Sequence, residues 1–184
     1  MLKDTEALLE GHFVLSSGLH SPVYVQTALA LQYPEIASSI AEKLASQLKK
    51  NINSEIDTVV SPAIGGIIIG QEVAKALGVR HIFFEKHEGQ FCLRRNFRVN
   101  ENEKVVVVED VITTGGSSRK IADLLKSMKA DILAFSSIVE RTSPSRVISK
   151  VVSLVRVDAP TYPPEKCPLC LSGSKPVKMG SSWV

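Results

Sequence analysis

Val105-Val106-Val107-Val108-Glu109-Asp110-Val111-Ile112-Thr113-Thr114-Gly115-Gly116-Ser117 is the stretch on which the reading of this chain turns. Four β-branched residues in a row, without polar alternation, suit a strand covered on both faces, as in the middle of a parallel sheet. The run reads as a buried strand ending in two adjacent acids, followed by a loop of small and hydroxyl residues. A helix then begins, with Ile121, Leu124, Leu125 and Met128 at helical spacing. Open parallel sheets bind ligands outside the carboxyl ends of their strands. A helix start there offers unpaired N–H groups and the positive end of its dipole, which suits a phosphate. Gly115 and Gly116 permit close backbone approach and positive φ, and Thr113, Thr114 and Ser117 add hydroxyl donors. Glu109 and Asp110 would repel a bare phosphate, but fit sugar hydroxyls or a water on Mg²⁺. The combination points to a sugar phosphate. Neither G-x-x-x-x-G-K-[ST] nor G-x-G-x-x-G occurs in the chain.

Upstream, Ile36, Ile40, Leu44 and Leu48 form an apolar stripe in a helix opened by Pro34. Asp57 to Pro62 reads as a strand, Gly66 to Leu77 as a helix stopped by Gly78, and His81 to Phe84 as a strand. Residues 85 to 99 read as a mobile charged hairpin. Downstream, Ile132 to Val139 and Val151 to Val157 read as strands. Alternation of strand and helix predicts an α/β fold with a largely parallel sheet flanked by helices. The expected organisation is a single domain, 1–184. Residues 1–32 fall outside the alternation as a small N-terminal cap, and residues 160–184 form a Pro-rich tail over the surface.

The 184 residues suffice for a core without disulfides or metal. A hydrophobic content of 44% with 22% charged residues argues against disorder. The formal charge of +3, with basic clusters no longer than pairs, argues against a nucleic-acid partner. No run approaches the roughly 18 apolar residues of a membrane span. Met1 to Glu6 lacks the layout of a signal peptide. The three cysteines imply reduced thiols and a cytoplasmic location. Cys167-Pro168-Leu169-Cys170 is a lone C-x-x-C. With no second pair nearby and every histidine far away in sequence, it reads as a loose thiol pair rather than a metal site.

The Val105–Ser117 string resembles the phosphoribosyl-pyrophosphate signature of type I phosphoribosyltransferases. Within them the chain resembles orotate phosphoribosyltransferases, since Gly11 to Tyr24 is similar to that family's hood over the base, here a hairpin turning at Gly18. The resemblance implies the type I fold and transfer of ribose 5-phosphate from 5-phosphoribosyl-1-pyrophosphate to orotate. It implies that Glu109 and Asp110 hold ribose hydroxyls, and that Val111, Ile112, Thr113, Thr114, Gly115, Gly116 and Ser117 hold the 5-phosphate. Ala63, Ile64, Gly65 and Gly66 stand at the pyrophosphate loop. Thr113 and Arg141 stand at the orotate contacts, where a guanidinium fork matches a carboxylate. Lys86, with Asp110, is carried over as catalytic. Mg²⁺ is implied as cofactor, held mainly by substrate without a direct protein ligand, as is a homodimer sharing the 85–99 loop.

The chain departs from the family pattern at three places. Gly65 replaces a common lysine, Glu85 stands where many relatives carry a cation, and His20 stands where several have lysine. His87, Arg94 and Arg95 are further cation candidates in the loop. A phosphoribosyltransferase for another base, or a sensor of the sugar donor, are the alternative readings.

Overall fold

The structure is a computed structural model, and it describes residues 1–15, 17–141, 148–149 and 151–179. Ser16 of the hood segment and residues 180–184 of the tail therefore lie outside the described residues. Along the chain the elements are β1 (Leu8–Val14), β2 (His20–Val25), α1 (Ala28–Leu31), α2 (Pro34–Asn51), β3 (Thr58–Pro62), α3 (Gly66–Leu77), β4 (Arg80–His87) and β5 (Gln90–Leu93). They continue as β6 (Lys104–Ile112), α4 (Gly116–Ser127), β7 (Asp131–Arg141), β8 (Val151–Val157), α5 (Pro168–Leu171) and β9 (Val177–Lys178). They group into two compact units, Leu31–Val157 and the two chain ends Met1–Ala30 with Asp158–Val184.

The larger unit is a six-stranded sheet of order β5-β4-β3-β6-β7-β8. All pairs are parallel except β4 with β5. Val105 to Val108 are fully buried in β6, at the middle of this sheet, where a strand covered on both faces tolerates an unbroken apolar run. Helix α4 sets Ile121 and Leu125 against Val60, Ile82, Phe84, Val105 and Val107. Helix α3 packs on β3, β4 and β6, and α2 packs on α3, β7 and β8. Truncating Ile121 or Leu125 to Ala would cost about 2–5 kcal/mol at sites this buried.

Helix α3 stops where its sequence says, at Gly78 with φ 77°. Strands β4 and β5 join through Glu88 and Gly89, both at positive φ, the two-residue turn whose twist matches a hairpin. The hairpin ladder ends at Leu93, so residues 94–99 are not part of it. At the amino end of the sheet, Glu103 accepts hydrogen bonds from Thr58 Oγ1, from Asn100 N–H and from Arg80, whose Nη2 lies 2.5 Å away. This ties β3, β4 and the approach to β6 at the end remote from the glycine turn.

In the smaller unit β1 pairs antiparallel with β2 and parallel with β9. Gly18 turns the hairpin at φ 80°. The Pro-rich segment is built into this unit: His20 and Tyr162 bridge through paired backbone hydrogen bonds, and Cys167 is fully buried.

Candidate active site

Strand β6 does not end at its two acids. It runs on through Val111 and Ile112, which pair with Val139 and Glu140 of β7. The acids therefore sit inside a regular strand, where successive side chains point to opposite faces. Glu109 shares the face of Val105 and Val107 and is directed toward α4, where Ser118 Oγ donates to its carboxylate. Asp110 takes the opposite face and meets the 63–66 loop: its Oδ1 lies 2.8 Å from where a Cβ on Gly65 would stand. The sequence sets these acids side by side, and the pleat separates them.

The turn after β6 lines a cleft of about 310 Å³, formed by Val111 through Ser117 together with Glu109, Lys86, Phe91 and Lys120. Helix α4 opens on Gly116, with Gly115 before it at φ 79°. A Cβ at Gly115 would stand 2.6 Å from Ile148, so both conformation and space demand glycine there. The first backbone bond that returns to this turn is Arg119 N–H to Gly115 O, at 2.8 Å. The preceding N–H groups of the first helical turn lie outside that ladder, as at any helix start. A larger cleft of about 590 Å³ lies near Ile56, Asp57 and Leu77, at the amino end of β3. It lies at the wrong end of a parallel sheet for a ligand.

Burial pushes the Glu109 carboxyl up to about 7, against the hydrogen bonds from Ser118, with the neighbouring Asp110 raising it further and Lys86 lowering it. Lys86 lies 5.3 Å from the Phe91 ring centre, its cross-strand partner in the hairpin. Arg94 and Arg95 lie elsewhere. Arg95 Nε is 2.6 Å and Arg94 Nη1 3.9 Å from Glu85, which the strand places on the face opposite Lys86. The acid that replaces a cation in this loop thus gathers both arginines, and neither lines the cleft. His87 is exposed and does not line it either. Lys120 was not foreseen. Its signal is positional, four residues and thus one helical turn from Gly116, on the same side of α4. Ser118, fully buried against Glu109, was missed as well.

Arg141 closes β7, one residue beyond the pair Ile112–Glu140, and so stands level with Thr113. Burial lowers its pKa. The buried Glu140 carboxylate beside it accepts from Arg156 Nε and Ser153 Oγ, each at 2.9 Å. In the 63–66 loop the Ala63–Ile64 peptide is cis. Just before it, Ser61 Oγ and His81 Nε2 meet at 3.1 Å, and burial lowers His81 to about 4. Among the described residues no helix is long and apolar enough to cross a membrane.

The phosphoribosyl transferase domain family matches residues 31–161. The orotate phosphoribosyltransferase of Caldicellulosiruptor saccharolyticus is 46% identical over 185 residues, covering 100% of this chain and 95% of that one. That of Carboxydothermus hydrogenoformans is 49% identical over 180 residues, covering 97% and 93%. Among solved structures, orotate phosphoribosyltransferase from Aeropyrum pernix matches with a TM-score of 0.70 at 26% identity, over 85% of this chain and 91% of that one. Adenine phosphoribosyltransferase from Thermoanaerobacter pseudethanolicus matches at a TM-score of 0.69 and 20% identity, over 85% of this chain and 100% of that one, a likeness of fold alone.

Proposed function

We propose a division of labour within this cleft on one premise: the chain belongs to the orotate phosphoribosyltransferase family and transfers the ribose 5-phosphate of 5-phosphoribosyl-1-pyrophosphate to orotate, giving orotidine 5′-monophosphate and pyrophosphate. The observation that carries the proposal is the cleft at the start of α4, where the Thr113–Ser117 turn, a buried acid and two lysines converge.

In this reading the N–H and hydroxyl groups of Val111 through Ser117 hold the 5-phosphate, with Lys120 adding charge from one turn along α4. Glu109 receives a ribose hydroxyl from the α4 side. Asp110 faces the Ala63–Gly66 loop, which suits a carboxylate between ribose and pyrophosphate. Gly65 supplies no cation to that loop, so Lys86 offsets the charge of the leaving pyrophosphate. Thr113 and Arg141, level with one another at the sheet's carboxyl edge, contact orotate.

The bond from ribose C1 to pyrophosphate oxygen breaks, and its electron pair leaves with the pyrophosphate. The orotate ring nitrogen, as its anion, supplies the pair for the new bond. No protein nucleophile is required, and the residues contribute by positioning and by charge. The donor set also fits a hard cation, since Glu109 in the cleft and Asp110 next to it in the strand offer carboxylate oxygens, and no soft ligand lines the cleft among the described residues. Mg²⁺ would be held mainly by substrate oxygens and water, and it would neutralise pyrophosphate charge.

The whole chain, 1–184, would work as one phosphoribosyltransferase domain, with 1–32 as hood and 160–184 as tail. It would form a homodimer that shares the 85–99 loop. Free cysteines at 92, 167 and 170 suit a reducing, cytoplasmic setting. The test is to mix the protein with Mg²⁺ and the sugar donor, add orotate or adenine, and follow each base. The reading expects loss of orotate absorbance and no use of adenine. Consumption of adenine instead would contradict it.

A further inference from the structure

We propose that His12, His20, Cys167 and Cys170 form a closed tetrahedral zinc(II) site that cross-links the two ends of the chain within the smaller unit. The sequence reading set the C-x-x-C aside because every histidine is distant along the chain. The fold removes that objection. One ligand atom from each of the four residues lies within 4.8 Å of all the others.

Four of the six separations lie within about 0.4 Å of the edges of a zinc tetrahedron. His12 Nε2 and His20 Nδ1 are 3.0 Å apart. Cys167 Sγ lies 3.5 Å from His12 Nε2, and Cys170 Sγ lies 3.8 Å from His12 Nε2 and 3.3 Å from His20 Nδ1. With Zn–N near 2.0–2.1 Å and Zn–S near 2.3 Å, a regular tetrahedron has N–N, N–S and S–S edges of about 3.4, 3.6 and 3.8 Å. The cluster needs little rearrangement to close on an ion.

Three further observations favour a metal over a chance polar cluster. His12 Nδ1 lies 3.1 Å from the Ser174 carbonyl and 3.2 Å from Ser174 Oγ, so a proton on Nδ1 has an acceptor in that carbonyl. With the proton there, the Nε2 lone pair is aimed at the cluster, the arrangement that outer hydrogen bonds impose on metal-bound imidazoles. His12 and His20 are each only 6% exposed and Cys167 is fully buried. Two thiolates with two neutral imidazoles around Zn²⁺ sum to zero charge, which removes the penalty of burying charge. Finally, Gly173 at φ 83° turns the chain immediately after the pair, and its N–H donates to Cys170 O at 2.9 Å. This shapes Cys167–Gly173 into a compact knuckle.

Four protein ligands leave no open position, so the site is structural rather than catalytic. It joins β1 through His12, β2 through His20 and the start of α5 through its cysteines. Small units gain most from such staples. It also accounts for His20, where relatives were expected to carry lysine: its ring serves the metal and not the substrate.

The test uses the full chain, purified under reducing conditions without chelator and desalted, with zinc measured by plasma mass spectrometry. About one zinc per chain is expected, retained in Cys92→Ser and lost in Cys167→Ser/Cys170→Ser. Because the double variant may fail to fold, a second measurement uses the wild-type chain stripped of metal and titrated with cobalt(II). A thiolate-to-cobalt charge-transfer band with tetrahedral d–d bands is expected, saturating at one equivalent, and zinc should restore a thermal midpoint lowered by stripping. A wild-type chain that holds no zinc and gives no thiolate band, or one in which Cys167 and Cys170 are joined as a disulfide under these conditions, overturns the proposal.

Discussion

The Asp110 carboxylate occupies the space in which a side chain at Gly65 would begin, with Oδ1 2.8 Å and Cγ 3.0 Å from the position of its Cβ. Separations under 3.0 Å force one of the two to shift. Glycine at 65 is thus linked to an acid at 110, although 45 positions separate them. A side chain at 65 would require Asp110 to shift from this position.

Gly65→Ala is therefore expected to reduce turnover by about 10–100-fold through displacement of Asp110. The thermal midpoint should stay within a few degrees of wild type, because Asp110 lies near the carboxyl end of β6, partly exposed, and not in the core. Asp110→Asn should lower turnover comparably, and the double variant should be little worse than either single one. Additive losses in steady-state kinetics would show that the two positions act independently.

Glu109 makes stability depend on pH. Its folded value of about 7 lies above the ordinary 4.5, so the folded chain holds this proton more tightly than the unfolded chain. The contribution is complete below the unfolded value and is lost as pH rises toward 7. Glu109→Gln lacks that loss. Its melting temperature should gain on wild type between about pH 5 and about pH 8. His81, lowered to about 4, shifts stability in the opposite direction but does so in both proteins, and cancels in the difference. Parallel melting curves across this range would place Glu109 outside the buried cleft.

Lys86 faces the cleft, whereas Arg94 and Arg95 are drawn to Glu85. Lys86→Ala should lower kcat by about 100-fold, the scale for removing one preorganised charge donor. Arg95→Ala should lower it far less, because an exposed ion pair contributes about 1 kcal/mol or less to stability. Equal losses for the two variants would mean that the arginines leave Glu85 during turnover.

Arg141→Ala removes one charge-assisted contact, worth about 1.5–3 kcal/mol. The Michaelis constant for orotate should rise by about 10–100-fold and that for the sugar donor much less. Similar rises for both substrates would remove Arg141 from the base site.

Much of the fold was legible because local signals agreed. The unbroken Val105–Val108 run, the Gly78 stop and the Gly18 and Gly115 turns each fixed an element without help from distant residues. What escaped depended on register and on contacts across the chain. Glu109 and Asp110 look like one group in sequence, and only the continuation of β6 to Ile112 shows that they face apart. Arg94 and Arg95 look like free cations until the hairpin register places Glu85 beside them. The histidine–cysteine cluster was hidden by separations of up to 158 residues, a distance at which spacing carries no signal.

The cleft at the start of α4 is tested most directly by a crystal of this chain soaked with Mg²⁺ and 5-phosphoribosyl-1-pyrophosphate. The account predicts the 5-phosphate against the N–H groups of the Thr113–Ser117 turn, with ribose hydroxyls at Glu109 and Asp110. A sugar donor bound elsewhere, with that turn vacant and both carboxylates directed away from the ribose, would contradict it.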